Sequence, residues 1–262
     1  MRYGFIGCGN MGGPIARAVC KAVGGENVLL ANRTPAKAKA LANELGCKTG
    51  TNADAARCDM VFLGVKPYFM EDMLSGVQNA FSANTVLVSM AAAVTTERIR
   101  EMAGGEYPVI RIMPNTPSAI GEGMIQYCML GVSPEQEADF LAAMSCAGRL
   151  DPLPEDLIDA ASAVSGCGPA FAYMFIEALA DGGVACGLPR AKAMEYAAQM
   201  LAGSAKMVLE TGLHPGALKD AVCSPKGSTI QGVRTLEQNG FRGAVTDAVI
   251  AAFDRNREMT KM

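Results

Sequence analysis

Three glycines near the start of the chain, Gly7, Gly9 and Gly12 in "YGFIGCGNMGGPIA", follow the spacing G-x-G-x-x-G. The pattern carries chemistry only between a strand and a helix. There the first glycine permits a tight turn, the second lets a pyrophosphate approach the backbone, and the third brings helix and strand together. Here a short apolar run, "RYGFIG", leads into it and a helical run, "PIARAVCKAV", follows. The loop, with Asn10 and Met11 between its last two glycines, is therefore expected to hold a dinucleotide. Unpaired N–H groups and the positive end of the helix dipole would face the phosphates.

The residues after the second strand select which dinucleotide. An NAD site carries Asp or Glu there, accepting from the ribose 2′-hydroxyl. This chain has Asn32 and Arg33 in "LLANRT". A carboxylate would repel a 2′-phosphate, whereas Arg33 can pair with it and Asn32 and Thr34 can donate hydrogen bonds. NADPH is expected, with NADH as a weaker alternative; the competing reading of Arg33 is a solvent-facing loop residue.

Other reactive side chains are few. The one histidine, His214 in "TGLHPG", sits where a helix stops before a proline, which fits a turn better than acid–base chemistry. The nine cysteines are scattered with no C-x-x-C pair, and read as free thiols in a reducing compartment; no metal site is expected. A net charge of −3 gives no basic face for nucleic acid. No signal peptide is visible, and glycine and charge interrupt the apolar runs before bilayer length, so a cytoplasmic protein without a membrane partner is expected.

The elements that position these residues follow from the apolar pattern. "RYGFIG", "NVLLANR", "DMVFLGV", "TVLVSM" and "YPVIRIM" read as strands, with another near "MIQYCML". Helical segments such as "TPAKAKALANELG" and "TTERIREMAGG" lie between them. Continuous apolar strands separated by helices indicate a parallel sheet covered on both faces. After "DPLPEDLIDAASAVSGCGPA" the strands cease and only helices follow. The expected fold is α/β: a Rossmann-type doubly wound domain over 1–155, then an all-helical domain over 156–262. Between Pro169 and Cys186 the only charges are Glu177 and Asp181, one narrow helical stripe. A helix apolar on nearly every other side needs protein around it, and a second subunit is the simplest source.

Several further stretches begin at strand ends, on the edge where open parallel sheets bind ligands. They are "VKP" (Val65, Lys66, Pro67), "SMAAAVT", which contains Ala91, and "RIMPNTP". Taken singly, each is equally a turn or a helix start. Val65, Lys66, Pro67 and Ala91 join the glycine loop, Asn32 and Arg33 as expected cofactor contacts.

In order and spacing, these stretches and "SGCGPAF", "DGGVACGLPR" and "HPGALKDAVCSPKGSTI" resemble the pyrroline-5-carboxylate reductase family along essentially the whole chain. The C-terminal stretch is the most specific, since it is similar to a family signature containing "SPGG". The resemblance implies reduction of the cyclic imine of pyrroline-5-carboxylate to L-proline by nicotinamide hydride. It also implies a helical dimerisation domain, a homodimer or an oligomer of dimers, and an active site between domains of different subunits. By that similarity Ser224 binds substrate and the Thr229 hydroxyl, the catalytic group, hydrogen-bonds the ring nitrogen. Gly227, Ser228 and Thr229 stand at an expected helix start whose N–H groups suit a carboxylate. Without the resemblance, Ser224 and Thr229 read as helix caps.

The chain departs from the family pattern in places. Lys226 and Ala93 replace usual glycines, Cys167 replaces a serine and Phe171 a tyrosine. At Lys226 either the backbone is ordinary, or the side chain adds charge near the substrate carboxylate. Two other enzyme classes share the two-domain plan. A β-hydroxyacid dehydrogenase relies on a helical-domain lysine, for which Lys192 and Lys206 lack the surrounding motif. Ketol-acid reductoisomerase needs an acidic metal cluster that the helical half does not offer. A non-catalytic NADPH-binding regulator is the remaining alternative, and Thr229 in a substrate-like loop argues against it.

Overall fold

The computed structural model describes residues 1–260. Its first half alternates strand and helix: β1 (Tyr3–Ile6), α1 (Gly12–Val23), β2 (Val28–Ala31), α2 (Pro35–Leu45), β3 (Lys48–Thr49), α3 (Asn52–Ala56), β4 (Met60–Leu63), α4 (Met70–Val77), β5 (Val86–Ser89) and α5 (Thr96–Ala103). There follow β6 (Val109–Met113), β7 (Gly123–Leu130), α6 (Pro134–Met144), β8 (Gly148–Pro152) and α7 (Ile158–Ala161). The eight strands form one sheet in the order β3-β2-β1-β4-β5-β6-β7-β8. All neighbouring pairs are parallel except β6 with β7, where Ile112 stands opposite Tyr127.

Strands buried on both faces carry nearly continuous apolar residues, as in β1 and β4; β6 is as deeply buried but holds one charge, Arg111. Alternate residues divide between two cores. Phe5, Met60, Phe62, Val88 and Ile110 pack with α1, α2 and α6 on one face, where Phe5 and Phe62 stack at 4.5 Å. Ile6, Val61, Leu63 and Leu87 pack with α3, α4 and α5 on the other. Helix ends are set locally: Thr51 with Asp54 and Ser133 with Gln136 form capping boxes, and Gly46 and Gly104 end helices in the left-handed conformation.

Two strands, β3 and β8, are absent from the sequence reading. Both residues of β3 are exposed, and β8 is an edge strand of mixed polarity with one large apolar side chain, Leu150. Neither carries the apolar run by which the other six are recognised.

The chain separates into two compact units, Met1–Cys167 with the last helix from Ala252 on, and Gly168–Ala251. The first runs past the 155/156 division because the segment after β8 is tied back to the sheet. Arg111, 2% exposed in β6, pairs with Glu155 at 3.3 Å and Asp159 at 3.0 Å. Glu155 also accepts from the Thr96 N–H and hydroxyl, both at 2.8 Å. Asn115 donates to the Ser165 carbonyl, and the Asn256 amide to that of Asp159. Around Ser165 the chain makes a wide π turn, Ser162–Gly166, in which Cys167 N–H reaches back to Ser162.

The second unit holds α8 (Gly168–Ala185), α9 (Arg190–Thr211), α10 (Pro215–Ala221), α11 (Ser228–Gln238) and the start of α12 (Phe241–Thr260). Its buried hydrophobic residues, among those described, are three alanines: Ala180, Ala193 and Ala197. Tyr173 and Met174 of α8 are 58% and 69% exposed. By length and composition, the helical stretch Glu155–Ala185 contains an 18-residue window, of mean hydropathy 1.3, that is apolar enough to cross a membrane. This corrects the expectation that no apolar run reaches that length. Gly166, Gly168, Gly182 and Gly183 do not break the helical path, and Glu177 and Asp181 are its only charges after Asp159.

Candidate active site

The glycine loop joins β1 to α1, and the backbone assigns each glycine its task. Gly7 has φ 99°, open to glycine at little cost, and a Cβ there would strike the Gly64 carbonyl. A Cβ on Gly12 would strike the Gly7 carbonyl oxygen. No atom lies within 4 Å of where a Cβ on Gly9 would stand. Gly64, at the end of β4, completes the packing, since its own Cβ would meet Gly7. Sequence reasoning missed Gly64, although it follows directly on an apolar strand.

The N–H groups of this loop divide into used and free. Gly7 donates to Ala31, Cys8 to Asn32 Oδ1, Gly13 to Gly9 and Ile15 to Met11. Among the described residues, those of Gly9, Asn10, Met11 and Gly12 donate to no protein acceptor. Met11, the N-cap of α1, offers no side-chain cap either. Adjacent free N–H groups at a helix start are the donor set a pyrophosphate takes. The residues therefore fit a dinucleotide.

The neighbouring loops leave the same edge of the sheet. Asn32 uses its Oδ1 on Cys8 and its Nδ2 on the Thr34 carbonyl at 3.1 Å, so it braces the loop as well as facing it. The Arg33 guanidinium lies over the Phe69 ring, 5.0 Å from its centre. Val65, Lys66 and Pro67 follow β4, and Pro67 begins the short turn that carries Phe69. Ala91, after β5, is buried, with its N–H on the Ser89 hydroxyl at 3.3 Å. The seven sequence positions from Gly7 to Arg33, the three of "VKP" and Ala91 thus share one edge.

The residues assigned to substrate lie in the second unit. Gly227 is the N-cap of α11 and brings no side-chain cap; its own N–H closes a turn on the Ser224 carbonyl. The N–H groups of Ser228 and Thr229 have no protein acceptor among the described residues, and neither has the Thr229 hydroxyl. A Cβ at Gly227 would collide with the Ser224 hydroxyl. Thr229 is exposed at the second position of the helix and caps nothing. His214 does cap: its Nδ1 accepts from Gly216 N–H at 3.0 Å at the start of α10.

Lys226 has φ 60° and Ala93 φ 63°, the two left-handed residues other than glycine among those described. The ordinary-backbone reading of Lys226 is thereby corrected. Both positions keep the left-handed turn that a glycine would take without strain. Cys167 and Phe171 offer no hydroxyl at their positions.

A Rossmann sheet whose first loop presents free N–H groups beside three close-packed glycines defines a dinucleotide-dependent oxidoreductase fold. Residues 2–93 match the family model "NADP oxidoreductase coenzyme F420-dependent", and residues 155–259 match "Pyrroline-5-carboxylate reductase dimerisation". The chain is 41% identical to the pyrroline-5-carboxylate reductase of Escherichia coli (strain K12), over 99% of this chain and 98% of that one. It is 37% identical to the Pisum sativum reductase, over 98% and 95%. The crystal structure of Plasmodium falciparum pyrroline carboxylate reductase with NADP bound superposes with a TM-score of 0.90, at 31% identity, covering 99% of this chain and 98% of that one. The chain belongs to the pyrroline-5-carboxylate reductase family.

Proposed function

We propose that this protein reduces 1-pyrroline-5-carboxylate to L-proline with NADPH, the closing step of proline biosynthesis. The observation that carries the reading is 41% identity to the Escherichia coli enzyme over 99% of the chain, substrate loop and cofactor loop included. Residues 1–155 serve the cofactor, and 156–262 serve substrate and dimerisation.

The bound nicotinamide supplies the hydride. The N–H groups of Gly9, Asn10, Met11 and Gly12 take the pyrophosphate, and Arg33 takes the 2′-phosphate, so NADH is the weaker cofactor. Val65, Lys66, Pro67 and Ala91 line the rest of the cofactor's path. The substrate carboxylate sits on the N–H groups of Ser228 and Thr229, with Ser224 and Gly227 shaping the turn. Thr229 Oγ1 holds the ring nitrogen, and Lys226 adds positive charge beside the carboxylate. The iminium brings its proton from water, so no histidine acid is needed, in keeping with the capping role of His214. What remains for the chain is to orient the two partners and hold charge.

The exposed apolar residues of α8 support a homodimer, since monomers rarely leave such contiguous surface to water. Nine free thiols support a cytoplasmic setting. A steady-state assay with pyrroline-5-carboxylate and either nucleotide tests the function, and sedimentation at assay concentration tests the dimer. A protein inert on this imine, or a fully active monomer, would refute the corresponding part.

A further inference from the structure

Arg33 and Phe69 sit on the loops after β2 and β4, the two strands that flank β1 and its glycine loop. Arg33 is exposed, and no carboxylate pairs with it among the described residues. Its ordered contact is the Phe69 ring, 5.0 Å away. A long side chain in water samples many rotamers, and fixing one loses entropy that weakens any contact it later makes. The ring offers a planar surface to a planar cation.

Phe69 is itself held. Pro67 starts the turn, the Phe69 N–H closes on the Lys66 carbonyl at 2.9 Å, and Tyr68 packs against the ring at 4.5 Å. Yet the ring is 40% exposed and belongs to neither core cluster. An aromatic ring that fills no core, fixed beneath a guanidinium, needs a role at the surface.

We propose that Phe69 is a positioning residue for cofactor choice: it holds the Arg33 guanidinium beside the glycine loop, ready for a 2′-phosphate. The inference rests on the reading of Arg33 as the 2′-phosphate partner. Phe69 acts through Arg33 and so strengthens NADPH while leaving NADH nearly unaffected. A ring that merely stacked on the nucleotide base would serve both alike.

The test is binding of NADPH and NADH without substrate, read by nucleotide fluorescence, for wild type, Phe69→Ala, Phe69→Leu, Phe69→Tyr, Arg33→Ala and the Arg33→Ala/Phe69→Ala pair. Melting temperatures are taken on all. Phe69→Ala and Phe69→Leu are expected to weaken NADPH about 2- to 5-fold, the scale of an exposed cation–π contact. NADH should move little, and Phe69→Tyr should match wild type. In the Arg33→Ala background, removing the ring should cost nothing more. Equal losses for both nucleotides, or an undiminished loss without Arg33, would overturn the proposal. If Arg33→Ala itself spares NADPH, the underlying reading of Arg33 fails instead, and the proposal falls with it.

Discussion

The Asn32 side chain accepts a hydrogen bond from the Cys8 backbone N–H at 3.1 Å, tying the end of β2 to the glycine loop. One residue thus braces the glycine loop and stands at the position proposed to select the cofactor. The two tasks separate by substitution. Asn32→Asp keeps an acceptor for Cys8, gives up the donor to the Thr34 carbonyl, and places a carboxylate where a 2′-phosphate would sit. It should weaken NADPH by about 10-fold or more, near 1.4 kcal/mol, and spare NADH. Asn32→Leu removes the brace and should weaken both nucleotides. Binding titrations that gave both variants the same NADPH/NADH ratio would contradict this division.

Thr229 is the second case. A hydroxyl that capped α11 would cost roughly 1 kcal/mol on removal. Because the hydroxyl caps nothing in this structure, Thr229→Ala should cost less than about 0.5 kcal/mol of stability. In turnover the same change should lower kcat by about 10-fold or more, and Thr229→Ser should restore much of it. Unchanged kcat in a stable Thr229→Ala protein would remove Thr229 from the chemistry.

The left-handed residues make a prediction about stability alone. A side chain in that conformation costs about 1–2 kcal/mol, and glycine gives back roughly 0.5–1 kcal/mol through the freer unfolded chain. Lys226→Gly and Ala93→Gly should therefore each stabilise by about 0.5–1 kcal/mol in urea titration. Ala92→Gly, beside one of them but at an ordinary φ, should destabilise. A loss at all three positions would show that the surrounding loops do not hold this strain.

The thiols predict a pH dependence. Burial pushes the Cys8, Cys20 and Cys128 thiols up to about 12, from an ordinary value near 9. Tyr127, buried and hydrogen-bonded to Glu137, also rises to about 12. Each group is harder to ionise folded than unfolded. The stability they lend is whole below pH 9 and is lost as pH climbs toward 12. The urea midpoint should fall between pH 8 and pH 10.5, and Cys128→Ala should lessen the fall. At pH 8 a thiol-reactive disulfide should label the exposed Cys186 first and the buried Cys20 only on unfolding.

Much of this was legible in the sequence, for physical reasons that differ by residue. Strands β1, β2, β4 and β5 announce themselves because a strand buried on both faces needs a near-continuous apolar run, and β6 and β7 keep enough of one around Arg111 and Gln126. The close packing of Gly7 and Gly12 follows from spacing because strand, loop and helix must approach one another there. The pairing of Arg33 with Phe69 has no local signal, since it depends on two loops distant in the chain meeting at one edge. The same holds for Arg111, whose partners Glu155 and Asp159 come from beyond β8. Lys226 marks the border: its departure from glycine is visible in the letters, but only the backbone reveals that the turn kept its hand.

Gly7, Gly12 and Gly64 exclude one another's side chains within the protein itself, whereas the space at Gly9 is bounded by nothing the protein owns. Mutational tolerance at the four sites is therefore of two kinds. Any substitution at the first three damages the molecule as it folds, so an abundance screen in cells would find them. Gly9→Ala would pass that screen as a normal protein and fail only when asked to retain a nucleotide. If the loop holds a pyrophosphate as proposed, the four glycines answer to two constraints, foldability for Gly7, Gly12 and Gly64 and nucleotide retention for Gly9.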